Sequence, residues 1–246
     1  MTVPDLPPPP APAALTADGP IALFLDFDGT LVDIAPTPDS IDVPSNLAER
    51  LAALAARYEG RVALISGRAI SDLERHIGPV TIACAGSHGS DCRAADGKSI
   101  GDVPESLPEE VLAQIASFAA AHDVDREDKP HGAALHFRAN PSAEDKGLAF
   151  AEELAARHGL EIKRGKCVVE LVTRGDGKAG AVRAFMQTPA FAGSQPVFVG
   201  DDVTDEDGMR AAVELGGFGV AVGERVSENA KYALARPVAV HHWLEL

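Results

Sequence analysis

Residues Ile21-Ala22-Leu23-Phe24-Leu25 form a short apolar run that ends abruptly in Asp26-Phe27-Asp28-Gly29-Thr30. An apolar run of this length that stops at polar residues reads as a buried strand. Such a strand delivers its last residues to the carboxyl edge of a sheet, where open α/β sheets bind their ligands. Alternation along the extended chain places Asp26 and Asp28 on one side and Phe27 on the other. Gly29 then permits a turn where a side chain would not fit. Two carboxylates this close do not easily stay ionised together without a cation or a shared proton. The competing reading is a solvated Asp-Gly turn after an edge strand, and the rest of the chain weighs against it.

The same signature recurs. Val62-Ala63-Leu64-Ile65 runs into Ser66-Gly67-Arg68, and Thr81 to Ala85 runs into Gly86-Ser87-His88-Gly89. Pro196 to Val199 runs into Gly200-Asp201-Asp202, and Gly219 to Val222 reads as a fifth strand. Helical periodicity fills the intervals. Ser45, after Pro44, is the expected N-cap of a helix carrying Leu47, Leu51 and Leu54 on one face and ended by Gly60. Ser71 is expected to cap a short helix through His76, stopped by Gly78-Pro79. Further helices are expected from Lys178 to Met186 and after Thr204, with Asp207 at the third position and Gly216 at the end. Strands alternating with helices predict a Rossmann-like, parallel α/β core.

The rhythm changes in the middle of the chain. Pro108 to Ala121 reads as a helix with Val111, Leu112, Ile115 and Phe118 inward, and Ala133 to Arg138 as a short alternating strand. Ser142 and Asp145 resemble a capping box for a helix running to His158 and closed by Gly159. Glu161 to Arg164 and Cys167 to Val172 flank Gly165-Lys166 as a hairpin. The expected organisation is a core of residues 20–103 and 174–246 interrupted by an α+β domain at 104–173, with the ligand cleft between them. Residues 1–19, with Pro4, Pro7 to Pro10 and Pro12, are expected to be a mobile, partly extended tail.

Composition narrows the function. Of 246 residues, 22 are basic and 37 acidic, a net charge of −15, which argues against electrostatic binding to nucleic acid or an anionic membrane. A small anionic substrate remains compatible, because local Lys, Arg and a cation can override the global field. There is no apolar run of the ~18 residues a membrane span requires and no basic, apolar leader at the N-terminus, so a cytoplasmic location is expected. Cys84, Cys92 and Cys167 lack metal or redox spacing and read as ordinary reduced thiols.

Several strand ends carry chemistry-bearing residues: Asp26 and Asp28, Ser66, Ser87 and His88, and Asp201 and Asp202. Their convergence on one sheet edge predicts a site. Asp26, Asp201 and Asp202 make a hard-oxygen cluster, and with no His or Cys at ligand spacing this favours Mg²⁺ over Zn²⁺. For Asp202 and Asp205 the alternative is helix N-terminal capping. Lys178 lies at a helix start, where the dipole repels a cation, so its position makes better sense if it reaches an anion.

These residues resemble a known family. The DxDGT at Asp26–Thr30, Ser66 after its strand, Lys178, and GDDVTDED at Gly200–Asp207 resemble the four motifs of the haloacid-dehalogenase-like (HAD-like) phosphatases, in the same order and spacing. The insertion between the second and third motifs resembles that superfamily's C2-type cap. A narrower resemblance is to the trehalose-6-phosphate phosphatase family. It is carried by LDFDGTL at 25–31, ISGR at 65–68, GSHG at 86–89, ALHFR at 134–138, GKCVVEL at 165–171 and GDDVTDED at 200–207. GSHG departs from the family's usual acidic or aromatic residue before His-Gly.

The resemblance implies Mg²⁺-dependent hydrolysis of trehalose 6-phosphate through an aspartyl-phosphate. Asp26 would be the nucleophile, and the metal would be held by Asp26, the carbonyl of Asp28, and Asp201. Asp28 would be acid and then base, where a threonine would suit an ATPase-like role. Ser66 and Lys178 would hold the transferring oxygens, Gly29 and Thr30 would support the loop, and Asp202 and Asp205 would orient the metal or Lys178. In the inserted domain Arg138, Lys166 and Glu170 match the family's cap motifs, with His136 beside them. His88 and Arg68 would line the core side, Arg68 either capping acidic loops or touching substrate. The implied partner is a small-molecule substrate, with the chain acting as a monomer. Another capped sugar-phosphate phosphatase, a phosphomutase and a non-catalytic sugar-phosphate-binding module stay open. A pure binder has no need of the Asp26 and Asp28 pair.

Overall fold

The computed structural model describes residues 6–101, 106–129, 132–165, 167–173 and 177–246, without the side chain of Pro38. The described residues divide into two compact units, one of 6–101 with 177–246 and one of 106–173. The first unit opens with α1 (Pro12–Leu15), β1 (Ile21–Leu25), α2 (Leu47–Arg57), β2 (Val62–Ile65), α3 (Ile70–Ile77), β3 (Ala83–Gly86) and β4 (Asp91–Arg93). The second unit holds α4 (Glu109–His122), β5 (Asp125–Lys129), β6 (Gly132–His136), α5 (Glu144–His158), β7 (Leu160–Gly165) and β8 (Val168–Thr173). The chain then returns to the first as α6 (Gly177–Met186), β9 (Gln195–Gly200), α7 (Asp205–Glu214), β10 (Phe218–Val222), β11 (Ala230–Leu234) and α8 (Pro237–Leu244).

In the first unit seven strands line up as β11-β10-β9-β1-β2-β3-β4. Every pair is parallel except β3 with β4. All five residues of β1 are buried. Ile21, Leu23 and Leu25 pack with Leu47, Leu51, Leu54 and Leu73 of α2 and α3. Ala22 and Phe24 pack with Ala181, Val182 and Phe185 of α6 and Met209 of α7. Helices on both faces are why the strand reads as an unbroken apolar run rather than an alternating one. The fold class expected from the sequence is therefore the one observed. Strand order reverses between β1 and β9, and the carboxyl edge at such a reversal is where open α/β sheets leave a crevice.

The second unit has an antiparallel sheet in the order β5-β6-β8-β7. Ala133, Leu135, Val169 and Leu171 pack with Val111 and Ile115 of α4 and Ala151 and Leu154 of α5. On the neighbouring register row Glu127, Ala134, Glu170 and Lys163 stand side by side across the four strands.

Several local expectations need correcting. The N-cap positions of α2, α3 and α5 are Asn46, Ala69 and Ala143, not Ser45, Ser71 and Ser142, and none caps through its side chain. Ser142 instead donates to Asn140 Oδ1 at 2.7 Å, because residues 141–143 form a separate 3₁₀ turn before α5. Thr204 does sit at the N-cap of α7 but makes no capping hydrogen bond. β6 is buried at four successive positions rather than alternating. In place of the expected mobile tail, the described part of the proline segment is tied down. Pro7 O accepts from Ala233 N–H at 3.0 Å and Pro10 O accepts from Trp243 Nε1 at 2.7 Å. Pro7 accepts from the edge strand β11 without offering a donor to any further strand, which blunts that edge.

No helix among the described residues is long and apolar enough to cross a membrane. Cys84 and Cys92 are buried free thiols whose pKa burial pushes up to about 12.

The contact between α7 and β9 yields a stability prediction. A Cβ on Gly208 would lie 2.6 Å from Phe198 Cδ2, and Phe198 is fully buried. Alanine ordinarily stabilises a helix over glycine, but here overpacking dominates. Gly208→Ala should lower unfolding stability by about 1–3 kcal/mol, read as a lower urea midpoint at unchanged slope.

Candidate active site

The site grows from the carboxyl ends of β1 and β9. Asp26 is still held in the ladder, its N–H donating to Val199 O at 3.0 Å. Its side chain is buried, and Oδ1 accepts from Lys178 Nζ at 2.7 Å. Lys178 comes from the first turn of α6 and is itself buried. It also donates to Asp205 Oδ1 at 2.5 Å. Asp205 opens α7 with no exposed surface. Its second oxygen accepts the N–H groups of Asp201 at 3.1 Å and Asp202 at 2.9 Å. Asp205 therefore ties Lys178 to the loop after β9.

One ammonium thus faces a surplus of carboxylates. Burial pushes the Asp26 pKa well up, partly offset by Lys178 and reinforced by Asp205 and Asp201. Asp26 and Asp205 together outweigh burial at Lys178 and raise its pKa, so the ammonium stays charged. Burial, followed by the charges of Asp205 and Asp202, pushes Asp201 up to about 6.

Asp26, Asp201 and Asp205 each offer a carboxylate oxygen within 4.8 Å of the others. Asp205 is already committed to Lys178 and the loop. Oδ2 of Asp26 and Oδ2 of Asp201 have no hydrogen-bond partner among the described residues. Two unpaired oxygens in a buried, over-negative cluster suit a hard divalent cation, which would favour the ionised forms that burial disfavours.

Gly29 sits at φ +79°, and a Cβ there would fall within 2.7 Å of Asp201 Oδ1. The backbone therefore passes directly against that carboxylate. Thr30 is fully buried, its Oγ1 3.4 Å from Asp201 Oδ1. Asp202 stays exposed, folded onto its own loop through Val203 N–H at 2.5 Å, and does not join the cluster.

Asp28 departs from the expected shared orientation with Asp26. Its side chain, 35% exposed, is gripped by Arg68, with Nε and Nη2 each 2.7 Å from one of its oxygens. Arg68 thus grips the loop after β1 through Asp28. Ser66 is fully buried at the end of β2, its Oγ accepting from Arg68 N–H at 3.1 Å. His88, at φ +60°, donates its N–H to Ser66 O at 2.8 Å and lays its ring against Gly67.

Sequence reasoning missed the far side of the loop. Arg225 Nε donates to Asp201 O at 3.0 Å, and its Nη2 lies 2.7 Å from Glu206 Oε1. Glu206 in turn accepts from Asn229 Nδ2 at 2.8 Å. Glu206 lies inside GDDVTDED, but Arg225 and Asn229 follow β10 in a stretch without periodicity or motif.

In the second unit, His136 Nε2 lies 3.0 Å from Glu127 Oε2, and Glu170 accepts from Lys129 Nζ at 2.9 Å. Arg138 is exposed and makes no hydrogen bond or ion pair with any other described residue. Lys166 lies outside the described residues.

Comparison with known proteins fits this geometry. The family model for trehalose-phosphatase matches residues 24–237. The chain is 37% identical over 228 residues to trehalose-6-phosphate phosphatase of Escherichia coli (strain K12), covering 92% of this chain and 85% of that protein. A solved trehalose-6-phosphate phosphatase related protein superposes with TM-score 0.73 at 22% identity, covering 92% of this chain and 95% of that one. A phosphatase of the haloalkanoate (HAD) superfamily from Bacteroides thetaiotaomicron superposes with TM-score 0.66 at 18% identity, covering 94% and 95%. At these identities the two structures speak to the fold.

Two outcomes follow from the cluster. Gly29→Ala should displace Asp201 and weaken divalent-cation binding at least about tenfold while circular dichroism stays unchanged. Protons should also compete with the cation at Asp201. Above about pH 6 that carboxylate is ionised and gives up no proton to the cation. Below it, affinity should fall by up to about tenfold per pH unit. Calorimetric titration with Mn²⁺ at pH 7.5, 6 and 5 reads this directly, and a flat affinity would contradict the assignment.

Proposed function

Because the chain belongs to the trehalose-phosphatase family, we propose that it hydrolyses trehalose 6-phosphate to trehalose and phosphate, with Mg²⁺, through an aspartyl-phosphate on Asp26. The observation that carries this reading is the Asp26 carboxylate at the β1–β9 reversal. One oxygen is fixed by Lys178, and the other accepts no hydrogen bond from the described residues. A buried carboxylate so oriented is equipped to attack phosphorus.

Asp26, the carbonyl of Asp28, and Asp201 would hold Mg²⁺, which when bound supplies charge neutralisation for the phosphate and the carboxylates. Lys178 and Ser66 hold the oxygens of the transferring group, where positioning and charge matter most. Asp205 keeps the Lys178 ammonium in place and charged. Asp28 gives a proton to the departing sugar oxygen as the bond to Asp26 forms. It then takes one from the water that releases phosphate.

Residues 104–173 are proposed as a C2-type cap that selects the sugar. Arg138, Lys166, Glu170 and His136 would meet its hydroxyls, Glu170 as a bidentate acceptor. His88 is proposed to line the core side. The reading requires no partner beyond the small-molecule substrate, and a monomer suffices for it.

Phosphate release from trehalose 6-phosphate, sucrose 6-phosphate, glucose 6-phosphate and mannose 6-phosphate, with Mg²⁺ and with chelator, tests the proposal. Trehalose 6-phosphate should be preferred by at least about tenfold in kcat/KM, and chelator should abolish release. Asp26→Asn should cut turnover by about 10³-fold or more. Equal turnover of the monosaccharide phosphates would remove the assignment of the second unit's residues and keep the chemistry.

A further inference from the structure

Arg68 is engaged on every side of its guanidinium. Nε and Nη2 take the two oxygens of Asp28, each at 2.7 Å. Nη1 donates to Asp72 Oδ2 at 2.9 Å and faces His76 Nε2 at 3.3 Å, both on α3. The side chain is 9% exposed and lies over the Phe27 ring at 6.0 Å from its centre. Its backbone is fixed as well, the N–H on Ser66 Oγ and the carbonyl accepting Ser87 N–H at 2.7 Å. With Nε and Nη2 committed to Asp28 and Nη1 to Asp72, neither two-nitrogen fork of this guanidinium is open to a phosphate.

We propose that Arg68 is a positioning residue for Asp28, holding that carboxylate in one rotamer for proton transfer, and that Asp72 and His76 set the guanidinium in turn. The proposal rests on the reading of Asp28 as acid and base. In the first half-reaction the bond from phosphorus to the sugar oxygen breaks, the bond to Asp26 forms, and the Asp28 proton goes to the departing oxygen. In the second, water oxygen bonds phosphorus, the bond to Asp26 breaks, and a water proton goes to Asp28, which is thereby restored. Both transfers require the same carboxylate in the same place. A half-exposed Asp without the fork would divide its time among staggered rotamers, and misplacement of a reacting group is costly in rate.

Leaving-group dependence separates this role from substrate binding and from a merely structural one. An alkoxide needs a proton to leave, whereas p-nitrophenolate does not. The experiment compares the full-length wild type, Arg68→Lys, Asp72→Asn and Asp28→Asn, all with Mg²⁺. It uses rapid-mixing kinetics on p-nitrophenyl phosphate and on trehalose 6-phosphate. For Arg68→Lys, p-nitrophenolate should appear in a burst at the wild-type rate, followed by a steady state roughly 10- to 100-fold slower. With trehalose 6-phosphate, kcat should fall by a similar factor while KM moves less than about threefold. Asp72→Asn, which leaves the fork in place, should show the same pattern at roughly 3- to 10-fold, and it carries the test if Arg68→Lys does not fold.

A KM raised by about tenfold or more on both substrates with kcat retained would make Arg68 a substrate ligand and overturn the proposal. So would a uniform loss on both substrates, without a burst, that tracks a fall in Tm. Asp28→Asn separates the two levels. If it shows the burst and the arginine variant does not, positioning by Arg68 fails alone. If Asp28→Asn itself shows no leaving-group dependence, the acid–base reading fails.

Discussion

The buried ammonium of Lys178 between Asp26 and Asp205 is the interaction on which the rest of the first unit depends. Taking charges out of water is expensive, and a buried cluster holds only where every member is paired. The pairing here fixes three elements at once: the end of β1, the start of α6 and the start of α7. It also explains a topological feature. Asp26 and Lys178 are 152 residues apart, with the whole second unit between them in sequence. The chain leaves the first unit after β4 and returns to supply the lysine that β1 needs. An insertion at that point disturbs neither partner.

A second consequence is electrostatic. Lys178 neutralises only part of the charge at the sheet edge, and Asp201 is left beside it with a pKa raised to about 6. Among the described residues, carboxylate oxygens of Asp26 and Asp201 thereby stay unpaired in a place where water alone does not stabilise them well. That imbalance suits a cation and a phosphate together better than either alone. Asp28 lies outside the cluster, gripped by Arg68. Asp26 and Asp28 are thus two residues apart in sequence and sit in separate electrostatic settings.

Much of this was legible in the sequence, for identifiable reasons. β1, β2 and β9 are covered on both faces, so their apolar runs are continuous and stop sharply at Asp26, Ser66 and Asp201. Lys178 stood out because a helix start is a poor place for a cation. Three edge strands, β4, β5 and β11, were illegible. β5 is Asp-Arg-Glu-Asp-Lys, five charged residues with no apolar signal, and it forms because β6 supplies the backbone partners. β11 and α8 lack strong periodicity, and they are held in part by the proline segment. Ser142 failed as a cap because residues 141–143 form a separate 3₁₀ turn and its hydroxyl bonds Asn140 instead. Arg225 was invisible because it acts on a carbonyl, and a carbonyl carries no residue signature.

Trapping the covalent intermediate tests the central claim most directly. The full-length protein would be mixed with Mg²⁺ and trehalose 6-phosphate labelled at phosphorus, then quenched in acid within a single turnover. Borohydride reduction of the quenched protein would release the labelled phosphate and leave the phosphorylated residue as an alcohol, which mass-spectrometric mapping would locate. The account predicts transient labelling of the protein that decays as phosphate appears, with reduction converting Asp26 to homoserine. Phosphate released with no labelled protein at any time, or reduction marking a residue other than Asp26, would contradict it.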